Sequence, residues 1–254
     1  MEKTFALEGP NGAIAGKITF SGSARAKERL LVIAHGFRGS MDGGGRASAL
    51  AEQAAAGAQV IRFNFTESQI LSKQVEELAL VVDYGVKLLQ PKSLYLLGRS
   101  LGGATAIVYL AQTAARLKLK PPSEVKLGGL ILWSTPNNLK KTFQAVLGVS
   151  NFEKLYQGQP VTLQDYKGKF TLQPETVRDM LQYDLSDCLG RIGTMPSLIL
   201  HGTADAIVSL EQPQANYDAL REPKELVLLP GGDHSFVSDS TSASRVVLDW
   251  LQKH

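Results

Sequence analysis

The strongest constraint on the fold is the run Gly98-Arg99-Ser100-Leu101-Gly102-Gly103, which follows the apolar stretch LYLL at 94–97 without a break. A G-x-S-x-G between a buried-strand pattern and a helical one calls for a sharp strand-to-helix turn, with the serine hydroxyl lifted above the end of a sheet. The flanking glycines permit a close approach of strand and helix that a side chain would block. Ser100 is therefore the candidate nucleophile, and the rest of the chain is read for a sheet that presents it.

Outward from that turn, short apolar runs alternate with longer stretches of helical period. Runs at 4–8, 13–20, 30–35, 60–65, 94–97, 125–133, 197–201 and 225–229 read as strands. The first two are joined at Gly9-Pro10-Asn11-Gly12, a turn-type cluster. Stretches at 44–58, 72–89, 101–117, 211–220 and 242–252 read as helices, the second with apolar residues at Val75, Leu78, Ala79, Val82 and Val86 and a stop at Pro91. Continuous apolar strands separated by helices predict an α/β fold, a mostly parallel eight-stranded sheet covered on both faces. No internal repeat interrupts it.

One segment breaks the rhythm. Between Ser134 and about Asp187, after the sixth strand, aromatic residues accumulate. Runs at 161–166 and 169–172 flank Lys167-Gly168 as a possible hairpin, and Pro174 opens a helix. The stretch is too small to fold alone, so the expectation is one domain spanning residues 1–254 with a cap inserted at about 134–187. Phe143, Phe152, Tyr156, Tyr166 and Phe170 are candidates to roof a substrate pocket, or else a miniature core of the cap.

A serine nucleophile needs a base, and the base needs an orienting acid. Of the four histidines, His254 ends the chain, His201 ends a buried strand, and His35 sits in His35-Gly36-Phe37 after another, where it could brace a loop. His234, in Gly231-Gly232-Asp233-His234-Ser235-Phe236, lies in a loop beyond a strand end, where such sheets place functional groups. It is the expected base. Asp205, just past the strand at 197–201, is the expected acid. Asp233 reads as a turn residue, and Asp184 and Asp187 are weaker candidates. An oxyanion hole would draw one backbone N–H from Leu101 and a second from Phe37, whose ring could also line a pocket.

HGF at 35–37, GRSLGG at 98–103, HGTAD at 201–205 and GGDHSF at 231–236 resemble, in order and separation, the serine-esterase branch of the α/β-hydrolase superfamily. The likeness covers nearly the whole chain, and the segment after Trp133 is similar to the small cap of bacterial feruloyl and cinnamoyl esterases. It implies Ser100 as nucleophile, His234 as base, Asp205 as acid, and no metal or organic cofactor. The activity implied is cleavage of short-chain or aryl carboxylic esters through an acyl-enzyme. A thioesterase, lactonase or peptidase would use the same residues, and a non-catalytic ligand binder would keep only the fold. Two positions differ from those esterases: Arg99 stands where many have His, and Thr66-Glu67-Ser68-Gln69 replaces an Arg-Gly-His-Gly-like loop.

Composition narrows the alternatives. A single cysteine, Cys188, excludes an intramolecular disulfide and a thiolate zinc cluster, and no strand-turn-helix context makes it a nucleophile. Gly43-Gly44-Gly45 lacks the Lys-Ser/Thr of a phosphate loop and reads as a flexible turn. The net charge of +3 is mild, and its densest clusters, 118–120 and 140–141, are short, so no nucleic-acid partner is expected. MEKTFALEGP has no apolar signal core, and no run approaches the roughly 18 residues of a membrane span, which makes the cytoplasm the default expectation and a small-molecule ester the expected partner.

Overall fold

The structure, a computed structural model, describes residues 1–66, 69–117, 125–237 and 239–254. The lysines at 118–120 and residues 67–68 of the Thr66–Gln69 stretch lie outside the described residues. The chain opens with the hairpin β1 (Glu2–Gly9) and β2 (Gly12–Thr19), the short α1 (Ala24–Lys27) and β3 (Arg29–Ala34). A 3₁₀ turn at Gly43–Gly45 leads into α2 (Arg46–Ala54), then β4 (Gln59–Phe63), α3 (Leu71–Leu89), β5 (Ser93–Arg99), α4 (Leu101–Leu117) and β6 (Lys126–Trp133). The inserted stretch holds α5 (Leu139–Leu147), α6 (Val149–Tyr156), the hairpin β7 (Val161–Asp165) and β8 (Gly168–Leu172), and α7 (Pro174–Met180). The chain continues through α8 (Leu185–Ile192), β9 (Ser197–Gly202), α9 (Glu211–Ala219), β10 (Lys224–Leu229) and α10 (Ser240–Lys253).

Eight strands form one sheet in the order β1-β2-β4-β3-β5-β6-β9-β10. The pairs β1–β2 and β2–β4 are antiparallel, and every pair from β4 to β10 is parallel. The order reverses between β3 and β5, and the crevice beyond the carboxyl ends of strands at such a switch point is where open α/β sheets bind ligands.

Alternation along each strand divides the core in two. Leu30, Val32, Leu94, Leu96, Leu130 and Leu132 face α3, α4 and α8. Leu31, Ile33, Tyr95, Leu97, Ile131 and Trp133 face α2 and α10. Successive side chains on a strand point to opposite faces, so both faces are apolar and both need a helical cover.

The inserted stretch shares the first of these cores. Leu139, Phe143, Phe152, Leu155, Leu172, Val177 and Met180 belong to one buried cluster with α3 and α4. The crossover helix α8 starts at Leu185, inside the span read from the sequence as insertion, and it packs along α4. Helix α3 has no side-chain cap of its own from Ile70. Instead the Ser72 amide donates to Asp179 Oδ2 of α7 at 2.9 Å, so an acid of the inserted stretch satisfies an orphan donor at the helix start.

The turn from β5 into α4 is held by backbone contact. A Cβ on Gly98 would lie 2.6 Å from the Gly103 amide nitrogen and also against the Gly102 carbonyl. These are main-chain atoms of the same turn and cannot yield as a side chain would. Gly98→Ala is therefore expected to lower stability by about 3 kcal/mol or more. Chemical denaturation checks this, and an unchanged midpoint would contradict it.

Candidate active site

Ser100 is the single residue between β5 and α4, and its φ is +52°. A non-glycine residue in the left-handed region is strained and persists only where its surroundings hold it. Here the Ser100 amide donates to the Trp133 carbonyl at 2.9 Å, and Gly36 backs onto the side chain, since a Cβ there would lie 3.0 Å from Ser100 Cβ.

His234 reaches Ser100 from the loop between β10 and α10. Its Nε2 is 3.0 Å from Ser100 Oγ and its Nδ1 is 2.8 Å from Asp205 Oδ2. Two loops must meet for this. The Ala204 amide donates to the Gly232 carbonyl at 2.9 Å, and the Gly231 amide to Thr203 Oγ1 at 2.8 Å. Phe236, fully buried, packs edge-on to Trp133 with centroids 5.6 Å apart and anchors the loop from below. Asp233 accepts the Ser235 amide at 2.8 Å and so stays a turn residue. Asp184 caps α8 through the Asp187 amide.

The Asp205 side chain is wholly buried. Burial alone would raise its pKa, but the hydrogen bond and charge of His234, with amide donors from Val208 at 2.9 Å and Ile207 at 2.8 Å, hold it below the ordinary carboxylate value. It is ionised, and it fixes the imidazole with Nδ1–H toward itself and the Nε2 lone pair toward the serine hydroxyl. His201 lies beside it, 3.5 Å from Asp205 Oδ2, and donates from Nε2 to the Val208 carbonyl at 2.8 Å. Burial keeps that imidazole below its ordinary pKa, so it is a neutral brace under the acid.

The two residues expected to give backbone donors, Leu101 and Phe37, both lie next to Ser100 in the chain or in the cleft. Leu101 is the first residue of α4, where helix geometry leaves its N–H without an intrahelical acceptor. Phe37 follows Gly36, which touches Ser100. His35 holds this loop: its Nδ1–H donates to the Gly36 carbonyl at 2.8 Å and its Nε2 accepts the Phe65 amide at 3.0 Å. Burial brings its pKa down to about 4, opposed by the Gly36 bond and assisted by the Lys167 charge. Between pH 6.5 and about 4 the unfolded chain binds a proton that the folded site refuses, so stability is present above 6.5 and lost as pH falls toward 4. The loss attributable to His35 is at most about 3 kcal/mol. Urea midpoints at pH 7.5 and 4.5 should therefore shift less in His35→Gln than in the wild type. Equal shifts would refute this role.

A cleft of about 700 Å³ opens over Ser100 and His234, lined among others by Phe37, Arg46, Arg99, Val146, Tyr166 and Ile207. Of the five aromatic residues singled out in the sequence, Tyr166 lines it. Phe143 and Phe152 are in the core, and Tyr156 is more than half exposed on the surface. Phe170 lies under the Arg38 guanidinium, 4.1 Å from ring to cation. The Phe37 ring packs edge-on to Phe143 at 5.3 Å, which joins the cleft wall to the core. Hydrophobicity alone marks an aromatic side chain for burial or for a pocket equally well, and here packing decided most of them. Arg46, Val146 and Ile207 carried no signal, because they enter the cleft from separate loops and helix ends.

The β7–β8 hairpin is fastened over the loop that follows β3. Arg38 Nε and Nη2 grip Asp165 at 2.9 and 3.1 Å, and Lys167 Nζ donates to the Gly39 carbonyl at 2.6 Å.

No family model matches the chain. The uncharacterized protein YfhR of Salmonella typhi is 25% identical over 144 residues, 57% of this chain but 41% of YfhR, so the match spans well under half of that relative. Among solved structures, Est1E from Butyrivibrio proteoclasticus superposes with a TM-score of 0.77 at 20% identity, covering 98% of both chains. The esterase domain of a Rhodothermus marinus protein superposes with a TM-score of 0.70 at 20% identity, over 100% of this chain and 99% of that one. The Pyrococcus furiosus esterase Pf2001 gives 0.69 at 17% identity, over 100% and 91%. The fold is the α/β-hydrolase fold.

In this fold the side chains chosen from the sequence meet at the carboxyl ends of the strands, in the chain order Ser100, Asp205, His234. Cys188 is buried on α8, where burial raises its thiol pKa, away from the cleft residues. His254 packs on Trp250 and faces Glu225 at 3.6 Å. No helix among the described residues is long and apolar enough to cross a membrane.

Proposed function

We propose that this α/β-hydrolase is a serine hydrolase that cleaves carboxylic esters. The observation that carries the reading is the continuous hydrogen-bonded series Ser100 Oγ, His234 and Asp205 at 3.0 and 2.8 Å, opening into a cleft. Ser100 Oγ attacks the ester carbonyl as His234 Nε2 takes its proton. The oxyanion is met by the amides of Phe37 and Leu101, where one lost donor typically costs about 3 kcal/mol of barrier. His234 protonates the departing alcohol, then removes a proton from the water that hydrolyses the acyl-enzyme, while Asp205 stabilises the imidazolium throughout.

Short-chain or aryl esters suit the apolar part of the wall formed by Phe37, Val146 and Ile207. The likeness to Est1E, one structure of which has ferulic acid bound, supports an aromatic acid in this position. The test is a p-nitrophenyl ester series together with a fluorophosphonate probe. Turnover and a probe adduct mapped to Ser100 are expected, and the absence of both would end the proposal.

A further inference from the structure

The cleft carries more positive charge than the fold itself uses. Among the described residues, Arg38, Arg46, Arg99 and Lys167 line it, with Asp42 as the acidic residue of the wall. Arg38 is bound to Asp165, and Lys167 to the Gly39 carbonyl. Asp42 is occupied by Arg62 at 2.5 Å and Lys17 at 3.5 Å. Arg46 and Arg99 remain.

Neither of these two forms an ion pair among the described residues. Arg46 Nε is buried with no hydrogen-bond partner among the described residues. The hydrogen bond that Arg99 makes is a long one, from Nη2 to the His234 carbonyl at 3.4 Å. The two guanidiniums sense each other: burial and then the Arg46 charge hold Arg99 below its ordinary pKa, against the opposite pull of Asp233, Asp205 and Tyr166. Both also line a small apolar chamber of about 40 Å³ floored by Ile33, Leu97 and Trp133, so they stand where the chamber meets the cleft. Two partly buried like charges with no carboxylate in direct contact are costly, and an anion with paired oxygens would satisfy both forks.

We propose that Arg46 and Arg99 form an anion subsite, and that the preferred substrates are esters bearing a carboxylate or phosphate group a few atoms from the scissile carbonyl. The short separation is argued from the cleft, which Arg46 and Arg99 line together with Ser100. This inference rests on the ester-hydrolase reading for its catalytic consequence, and on the two arginines alone for binding.

The experiment compares kcat/KM for p-nitrophenyl hemiglutarate with its neutral counterpart p-nitrophenyl valerate, and for 4-acetoxyphenyl phosphate with 4-acetoxyanisole. At least one anionic ester should exceed its neutral partner by about tenfold or more, an advantage that added salt reduces. In Arg46→Gln and Arg99→Gln that ratio should fall toward one, with Arg46→Lys keeping part of it. The first pair reports a carboxylate on the acyl side, the second a phosphate on the alcohol side. A wild-type ratio near one for both pairs, or a ratio that survives both substitutions, would overturn the subsite. If no ester turns over, the ester-hydrolase reading falls, and the subsite is judged by thermal shift with glutarate and with inorganic phosphate. A rise in Tm that is lost in both variants upholds it, and no rise overturns it.

Discussion

Ser100→Ala is expected to lower ester turnover by at least about 10⁴-fold, to eliminate fluorophosphonate labelling, and to leave the circular dichroism spectrum unchanged. The size follows from the position. No other described hydroxyl or thiol has the His234 Nε2 contact of 3.0 Å, and Cys188 is buried on another helix. Stability should barely move, because Ala retains the backbone that donates to Trp133 and loses a single partly exposed hydroxyl. Ser100→Gly should melt at a higher temperature than Ser100→Ala, since glycine occupies a φ of +52° without the Cβ penalty. Residual activity of a few per cent in Ser100→Ala would place the nucleophile elsewhere.

Asp205→Asn is expected to reduce kcat by about 10³- to 10⁴-fold with little change in fold. Oδ1 of Asp205 accepts two amide hydrogens, from Ile207 and Val208. An asparagine carbonyl best keeps that place, which turns its NH₂ group toward His234 Nδ1. That nitrogen must then accept, the imidazole proton moves to Nε2, and the lone pair facing Ser100 is lost. Activity within tenfold of wild type would show that the imidazole is oriented by something other than Asp205.

Much of the architecture was legible because it rests on local rules. Continuous apolar runs with helices between them predict a covered parallel sheet, and the strands indeed bury both faces. The turn at 98–103 was legible for the same reason, since Gly98 meets the main chain of Gly102 and Gly103 within the turn itself. His234 and Asp205 could be chosen because both sit just beyond strand ends. What the sequence did not disclose is long-range. Asp179 capping α3 across 107 residues, Arg38 gripping Asp165 across 127, and Arg46 sharing a cleft with Arg99 all depend on how the inserted stretch and the loops close over the sheet. The same closure separated the aromatic residues: composition marks Phe143 and Phe152 as apolar, but only packing sends them to the core while Tyr166 remains at the cleft.

The shared core under the inserted stretch sets which parts of this molecule can be exchanged. Leu139, Phe143, Phe152 and Met180 cover apolar surface of α3 and α4, and Asp179 completes the start of α3. Excising the stretch to make a minimal scaffold would uncover those helices and invite aggregation. The hairpin tip at Tyr166 and Lys167 is different, because Tyr166 is 83% exposed and supports no core. Loop grafting for altered selectivity belongs at that tip, with the helices around it transplanted only together with the sheet they cover.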